Sequence, residues 1–298
     1  YETKIKKGKK YLLFLAQKDV SLTGGEIIYD AVGVEQGIIE IKENNKLYSY
    51  YKCGKKQVVA EQYREYPNIK ASLKLINEGI IGDVSCVNMS LAHEYHGISL
   101  IRAFLGVNPG EKYTVSAKTY EFPTTQTLTR YDKFTDGRIA GKKRCVATFE
   151  FESGKVAWYD FDSEQYRSPI RKNTLKVQGV RGELIDDCVY YLDENNEGQT
   201  GRIITDSHVI NTGNSNPNFE KIREIKKISF NNKIIYEPEF GLCGLSEDET
   251  AIAVMMKNTA EYSRGNASAP YSMEDALADA YAAILLKKAV ETGEVVHS

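Results

Sequence analysis

Short apolar runs alternate with amphipathic stretches over the first 84 residues. "KKYLLFLAQKDVSLT" (9–23) is apolar over a strand's length, with lysines before it and polar residues after it, the format of a buried parallel strand. "GGEIIYDAVGVEQGIIEIKENNKLY" places Ile27, Ile28, Ala31 and Val32 at helical spacing, broken by Gly33 and Gly37, and predicts a helix. "KKQVVAEQYREYPN" repeats the strand format, and Pro67 ends it. The same proline opens a helix whose apolar positions Ile69, Leu73, Leu75 and Ile76 share a face, with Gly79 as its stop.

From Asp83 the period changes. "DVSCVNMSLA" predicts a strand, and "HGISLIRAFLG" a helix with Ile98, Ile101 and Leu105 on one side and Gly106 at its end. Alternating and β-branched runs follow, broken by SG, RG, NN, EG and GN turns, and "FESGKVAWYDF" has the pattern of a hairpin. Two helices close the chain, with Ser246 and Glu249, then Ser272 and Asp275, at capping-box spacing. The order predicts a two-domain α/β plus α+β protein: a short piece of alternating β and α over 1–84, then a predominantly antiparallel sheet with helices over 85–298.

Composition narrows the partners. Of 298 residues, 42% are hydrophobic, enough to fill a core, and 39 basic against 41 acidic residues leave a net charge of -2. Neither nucleic acid nor an anionic membrane is favoured by that balance; a small molecule or another protein chain is. No apolar run reaches the roughly 18–20 residues of a membrane helix, and the reading is a soluble, cytoplasmic protein. The five cysteines form no CxxC pair, which argues against a disulfide framework or a structural zinc site. Four histidines are present, two of them three apart in "LAHEYHGISLIRAFLG". A metal site needs three or four ligands, and HEYH lacks the four-residue histidine spacing of HExxH, so no metal is expected.

Four stretches in order resemble the Gfo/Idh/MocA family of NAD(P)-dependent oxidoreductases. "GKKYLLFLAQKDVSLT" is similar to the strand carrying that family's Glu-Lys-Pro signature, written here as Gln17-Lys18-Asp19. "VVAEQYREYPNIKASLKLINEGIIGDV" resembles the last nucleotide-domain strand and crossover helix, with Arg64 and Pro67 at the usual Arg and Pro. "HGISLIRAFLG" resembles the helix opened by the active-site histidine, which falls on His96, and "YSMEDALADAYAAILLKKAVETGEVV" resembles the closing helix. The resemblance implies the remnant of a Rossmann-type parallel sheet with a crossover helix over 1–84, an open-faced substrate domain with flanking helices over 85–298 whose sheet face forms a homo-oligomer, and hydride transfer between NAD or NADP and a sugar, cyclitol or similar hydroxy compound. It implies catalytic roles for Lys18 and His96, cofactor contacts from Lys18 and Arg64, and a substrate pocket among Tyr63, Arg64, His93 and Tyr95.

Three departures accompany it. The chain has no GxGxxG phosphate fingerprint; "LTGG" and "LCGLSEDE" are the glycine-bearing stretches to check, and neither has the spacing. Only residues 1–17 precede the signature lysine, where the family has about half a Rossmann fold, so the chain is expected to lack the N-terminal half of that domain. The family's aspartate four residues before the histidine falls on Ala92, leaving the base without its carboxylate unless Glu94 or His93 serves. The rival expectation is a cofactor-free binding or dimer-scaffold relative, or a non-redox enzyme on the same frame.

Overall fold

The computed structural model describes residues 58–129, 131–216 and 219–298, together with the backbone of five short strands between Lys10 and Ser49. The chain divides into two compact units, Tyr1–Lys56 and Gln57–Ser298. In the first unit β1 (Lys10–Leu13), β4 (Ile38–Ile41) and β5 (Leu47–Ser49) form one antiparallel sheet, and β2 (Leu15–Gln17) pairs antiparallel with β3 (Tyr29–Ala31). Strands thus stand in the stretch whose spacing predicted a helix. Gly33 and Gly37 weaken a helix there, and "IIEI" at 38–41 is β-branched.

The second unit is built on an eleven-stranded sheet of order β15-β14-β13-β12-β11-β10-β6-β9-β8-β7-β16. Its first members are β6 (Val84–Ser90), β7 (Tyr113–Thr125), β8 (Ile139–Phe151) and β9 (Val156–Asp162). A meander follows: β10 (Thr174–Gly179), β11 (Gly182–Ile185), β12 (Cys188–Leu192), β13 (Gly198–Asn211), β14 (Lys221–Phe230) and β15 (Lys233–Tyr236). β16 (Val296–His297) pairs with β7 at the far edge. All pairs are antiparallel except β6 with β9, where Met89 lies opposite Tyr159. The hairpin expected at Ser153-Gly154 joins β8 to β9, with Gly154 at φ 81, a conformation that favours glycine.

Helices cover one face of the sheet. α1 (Pro67–Asn77) packs near β14 and β15, α2 (Glu94–Leu105) lies on β6, and α4 (Met273–Thr292) lies on β7 and α2. α3 (Glu247–Arg264) packs on β14 and the turn before α1. The capping predictions hold: Ser246 and Glu249 form a reciprocal box, and Ser272 Oγ accepts from Asp275 N at 3.0 Å. Gly106 ends α2 in the left-handed conformation expected of it. Alternate residues of the strands, such as Val87, Met89, Ala157, Tyr159, Ala147 and Phe149, enter the core against Ile98, Ile101, Phe104 and Leu286. The other face leaves Trp158 and Tyr190 each 44% exposed.

The strand predicted for "VVAEQ" is absent. Residues 58–62 are irregular and lead into a single 3-10 turn, Tyr63–Glu65. Glu61 explains the break locally, because its side-chain Oε1 accepts the Tyr63 backbone N–H at 3.0 Å, a side-chain-to-backbone bond that competes with a strand ladder. Among the described residues no helix is long and apolar enough to cross a membrane.

Candidate active site

The carboxyl ends of the two parallel strands converge on one spot, the end where open α/β sheets place their ligands. β6 leads through Ala92 into His93, which stands at the N-cap of α2. β9 leads into the 3-10 turn Ser163–Tyr166, whose start is capped by Asp162 and Gln165. Gln165 also donates to the Ser90 carbonyl at 3.1 Å and to Ser90 Oγ at 2.8 Å, so the turn is tied to the end of β6. Tyr166 is thereby held beside His93.

Glu94 opens α2 at φ 39, in the left-handed region, a conformation that costs a non-glycine residue on the order of 1–3 kcal/mol. Its backbone N–H donates to the buried Tyr159 Oη at 2.9 Å, and its carboxylate meets Lys287 of α4 at 3.1 Å. These contacts fix the turn that presents His93 and His96. Gly97 fits the same crowding: a Cβ there would lie 2.6 Å from the Ala92 carbonyl oxygen and 2.7 Å from Tyr159 Cε2. Gly97→Ala is therefore expected to destabilise the fold by about 1–3 kcal/mol, read as a lowered unfolding midpoint. An unchanged midpoint would show that the helix start moves freely.

His96 is buried, and its Nδ1 lies 2.5 Å from Glu61 Oε2. Glu61 is only 1% exposed. The expectation that Ala92 leaves the histidine without a carboxylate is thus corrected: Ala92 is fully buried and apolar, but the carboxylate arrives from a residue 35 positions upstream. Glu94, the other candidate, turns to Lys287 instead. The rings of Tyr63 and Tyr95 flank His96 with centroids 4.4 and 4.0 Å away. His93 stands edge-on to it at 4.9 Å.

A second chain of bonds runs beside the first. Tyr63 Oη donates to Tyr166 Oη at 3.3 Å, and Tyr166 Oη lies 3.0 Å from the His93 backbone N and 2.5 Å from its Nδ1. Burial raises the pKa of Tyr63, Tyr95 and Tyr166, keeping all three phenols neutral. Burial and the adjacent His96 lower that of His93, so its ring favours the neutral form.

Of the predicted site residues, Tyr63, His93, Tyr95 and His96 are brought together. Arg64 is not: its guanidinium donates to Ser99 Oγ and Ser99 O at 3.0 Å each and lies over Tyr271, bracing α2 from the side. Lys18 lies outside the described residues. Sequence reasoning missed Glu61 and Tyr166. Tyr166 stood in the polar stretch "EQYRSPIRK", whereas nothing in "VVAEQYR" separates Glu61 from an ordinary surface carboxylate.

Among the described residues no group of three or more His, Cys, Asp or Glu side chains could hold a metal ion. In "LCGLSEDE" the amides of Cys243 and Gly244 are spent on Glu224 Oε1, at 2.7 and 2.6 Å, and are closed to a phosphate. A cavity of about 330 Å³ includes Lys142, Arg144, Asp162 and Glu164. Lys142 pairs with Glu164 at 2.8 Å and Arg144 with Asp162 at 3.0 Å, while Arg171, also in the lining, donates to Thr124 Oγ1 at 2.8 Å.

The chain matches no family model and no curated protein. Among solved structures it is similar to a levoglucosan dehydrogenase, with 17% identity over 80% of this chain and 65% of that one, at a TM-score of 0.47. It is similar to a scyllo-inositol dehydrogenase from Lactobacillus casei, with 15% identity over 80% of this chain and 62% of that one, at 0.44. A third likeness is to an oxidoreductase from Agrobacterium radiobacter solved with NAD+, L-tartaric acid and magnesium, with 11% identity over 80% and 64%, at 0.43. The chain spans less than two thirds of the length of these oxidoreductases. Their likeness is a likeness to other proteins, and the functional reading of this one rests on its own side chains.

Proposed function

We propose that this chain carries the acid–base and substrate side of a Gfo/Idh/MocA-like, NAD(P)-dependent oxidoreductase acting on a hydroxyl of a sugar, cyclitol or similar small compound. One observation carries the reading: His96 gives Nδ1 to the buried Glu61 carboxylate, which leaves Nε2 to act as a base. A histidine oriented by a carboxylate suits proton abstraction at neutral pH, because the carboxylate fixes the tautomer and stabilises the imidazolium that forms. His96 takes the hydroxyl proton while Tyr63, His93 and Tyr95 line the substrate. Nicotinamide, when bound, accepts the hydride that leaves the carbon. On this reading residues 1–84 belong to the nucleotide side, where Lys18 is a second catalytic and cofactor contact and Arg64 braces the boundary, and residues 85–298 form the substrate side.

The closed amides of Cys243 and Gly244 favour a second reading, a cofactor-free relative. Thermal unfolding separates the two. A ligand at 100 times its Kd adds about 2.7 kcal/mol, so saturating NAD(H) or NADP(H) is expected to raise the midpoint by several degrees. No shift with any of the four would leave the cofactor-free reading standing.

We extend the proposal to a homo-oligomer joined through the open sheet face, where Trp158, Tyr190 and Tyr120 are exposed. Sedimentation at micromolar concentration is expected to give a dimer or larger species. A monomer would remove this part.

A further inference from the structure

Each histidine at the head of α2 has one ring nitrogen committed to the protein, and the two are committed in opposite senses. Tyr166 Oη accepts the His93 backbone N–H at 3.0 Å and the Tyr63 hydroxyl at 3.3 Å, which occupies both of its lone pairs. The phenol's own proton then has one partner left, His93 Nδ1 at 2.5 Å. Nδ1 of His93 is therefore an acceptor, and the neutral ring carries its proton at Nε2. For His96 the sense is reversed. Its Nδ1 faces the Glu61 carboxylate, an acceptor, so Nδ1 keeps the proton and Nε2 of the neutral ring holds a lone pair. Among the described residues neither Nε2 makes a hydrogen bond, and the rings meet edge-on at 81° with centroids 4.9 Å apart.

We infer that His93 and His96 act as a split donor–acceptor pair that recognises one substrate hydroxyl, His93 Nε2–H donating to its oxygen and His96 Nε2 receiving its proton. This rests on the reading of His96 as the base and adds a role for its neighbour. When the O–H bond breaks, the new N–H bond forms at His96 Nε2 and the imidazolium charge faces Glu61. The negative charge left on the oxygen meets His93 Nε2–H, a donor on a ring that Tyr166 already holds in place. Tyr166 is a positioning residue, because it sets the tautomer of His93. The pair selects alcohols: an ether has no proton for His96, and a carboxylate offers acceptors to both rings where one ring has only a lone pair.

The chain's four histidines make the test direct. Long-range proton–nitrogen spectra of the full chain labelled at histidine nitrogen, assigned with His93→Gln and His96→Gln, are expected to show Nε2 protonated in His93 and Nδ1 protonated in His96. Tyr166→Phe is expected to release His93 into a mixture of tautomers while His96 stays fixed. Titration with 1,2-ethanediol should then move both Nε2 resonances relative to the exposed His297, whereas 1,2-dimethoxyethane should move that of His93 alone. Matching tautomers in the two rings, no response to Tyr166→Phe, or a diol response confined to one ring or absent from both would each overturn the pair. None of these readouts involves nicotinamide. Opposed tautomers with no cofactor binding would retire the redox reading and keep the pair; shared tautomers with cofactor binding would do the reverse.

Discussion

Arg102→Met is expected to lower folding stability by about 3–5 kcal/mol, because it strands a buried carboxylate. Arg102 is 5% exposed, and its guanidinium reaches Asp279 Oδ1 at 2.7 Å and Asp275 Oδ1 at 2.9 Å. Asp279 is 1% exposed, also bonded by Tyr271 Oη, with Arg64 more distant at 3.9 Å. The cluster joins α2 to α4, so its loss is felt where the candidate site is anchored. Urea unfolding measures the loss, and a change below about 1 kcal/mol would show that the carboxylate finds other partners.

The pH dependence has a definite sign. Burial already raises the Asp279 pKa above the usual carboxyl value, against the opposing pull of Arg102. A raised carboxyl binds its proton more tightly folded than unfolded, so stability is fullest below the ordinary carboxyl pKa of about 3.9 and falls as pH rises towards the folded value. Removing Arg102 moves that folded value further up and extends the fall. The deficit of Arg102→Met should therefore be larger near pH 8 than near pH 5. Adding Asp279→Asn should recover part of the loss and flatten the pH profile, since it removes the charge that was stranded.

The second large effect is on turnover. Glu61→Gln preserves the side chain's shape but replaces a carboxylate by an amide, so His96 loses both its charge partner and the restraint on its tautomer. For the proposed oxidation this is expected to lower kcat by about 10²–10⁴-fold, the range a positioned acid–base group contributes, with little change in KM. His96→Ala should lose at least as much, and the two changes combined should cost little more than His96→Ala alone, because they act as one unit. A Glu61→Gln enzyme turning over at the parent rate would leave Glu61 a packing residue.

Much of the second unit was legible because its signals are local. Apolar period, Ser caps and terminal glycines depend on residues within one turn of each other, and they located β6, α2, α3, α4 and the β8–β9 hairpin. The stretch at 24–48 and "VVAEQ" were misread for the same reason. Short apolar runs do not distinguish helix from strand, and a strand without a partner to complete its ladder stays irregular. The pair of histidines and the tyrosines beside it were visible as a cluster in sequence, since His93, Tyr95 and His96 share the first turn of one helix.

What sequence alone determined, then, is the set of elements and the place where chemistry gathers, the head of α2. Tertiary structure decided what that chemistry is. Ala92 marked a missing carboxylate in the local pattern, and only the fold could bring Glu61 from before α1 to His96 and Tyr166 from beyond β9 to His93. Hydrogen bonding reads distance in space, while periodicity reads distance along the chain. The two coincide within a helix turn and part wherever a sheet brings strand ends together.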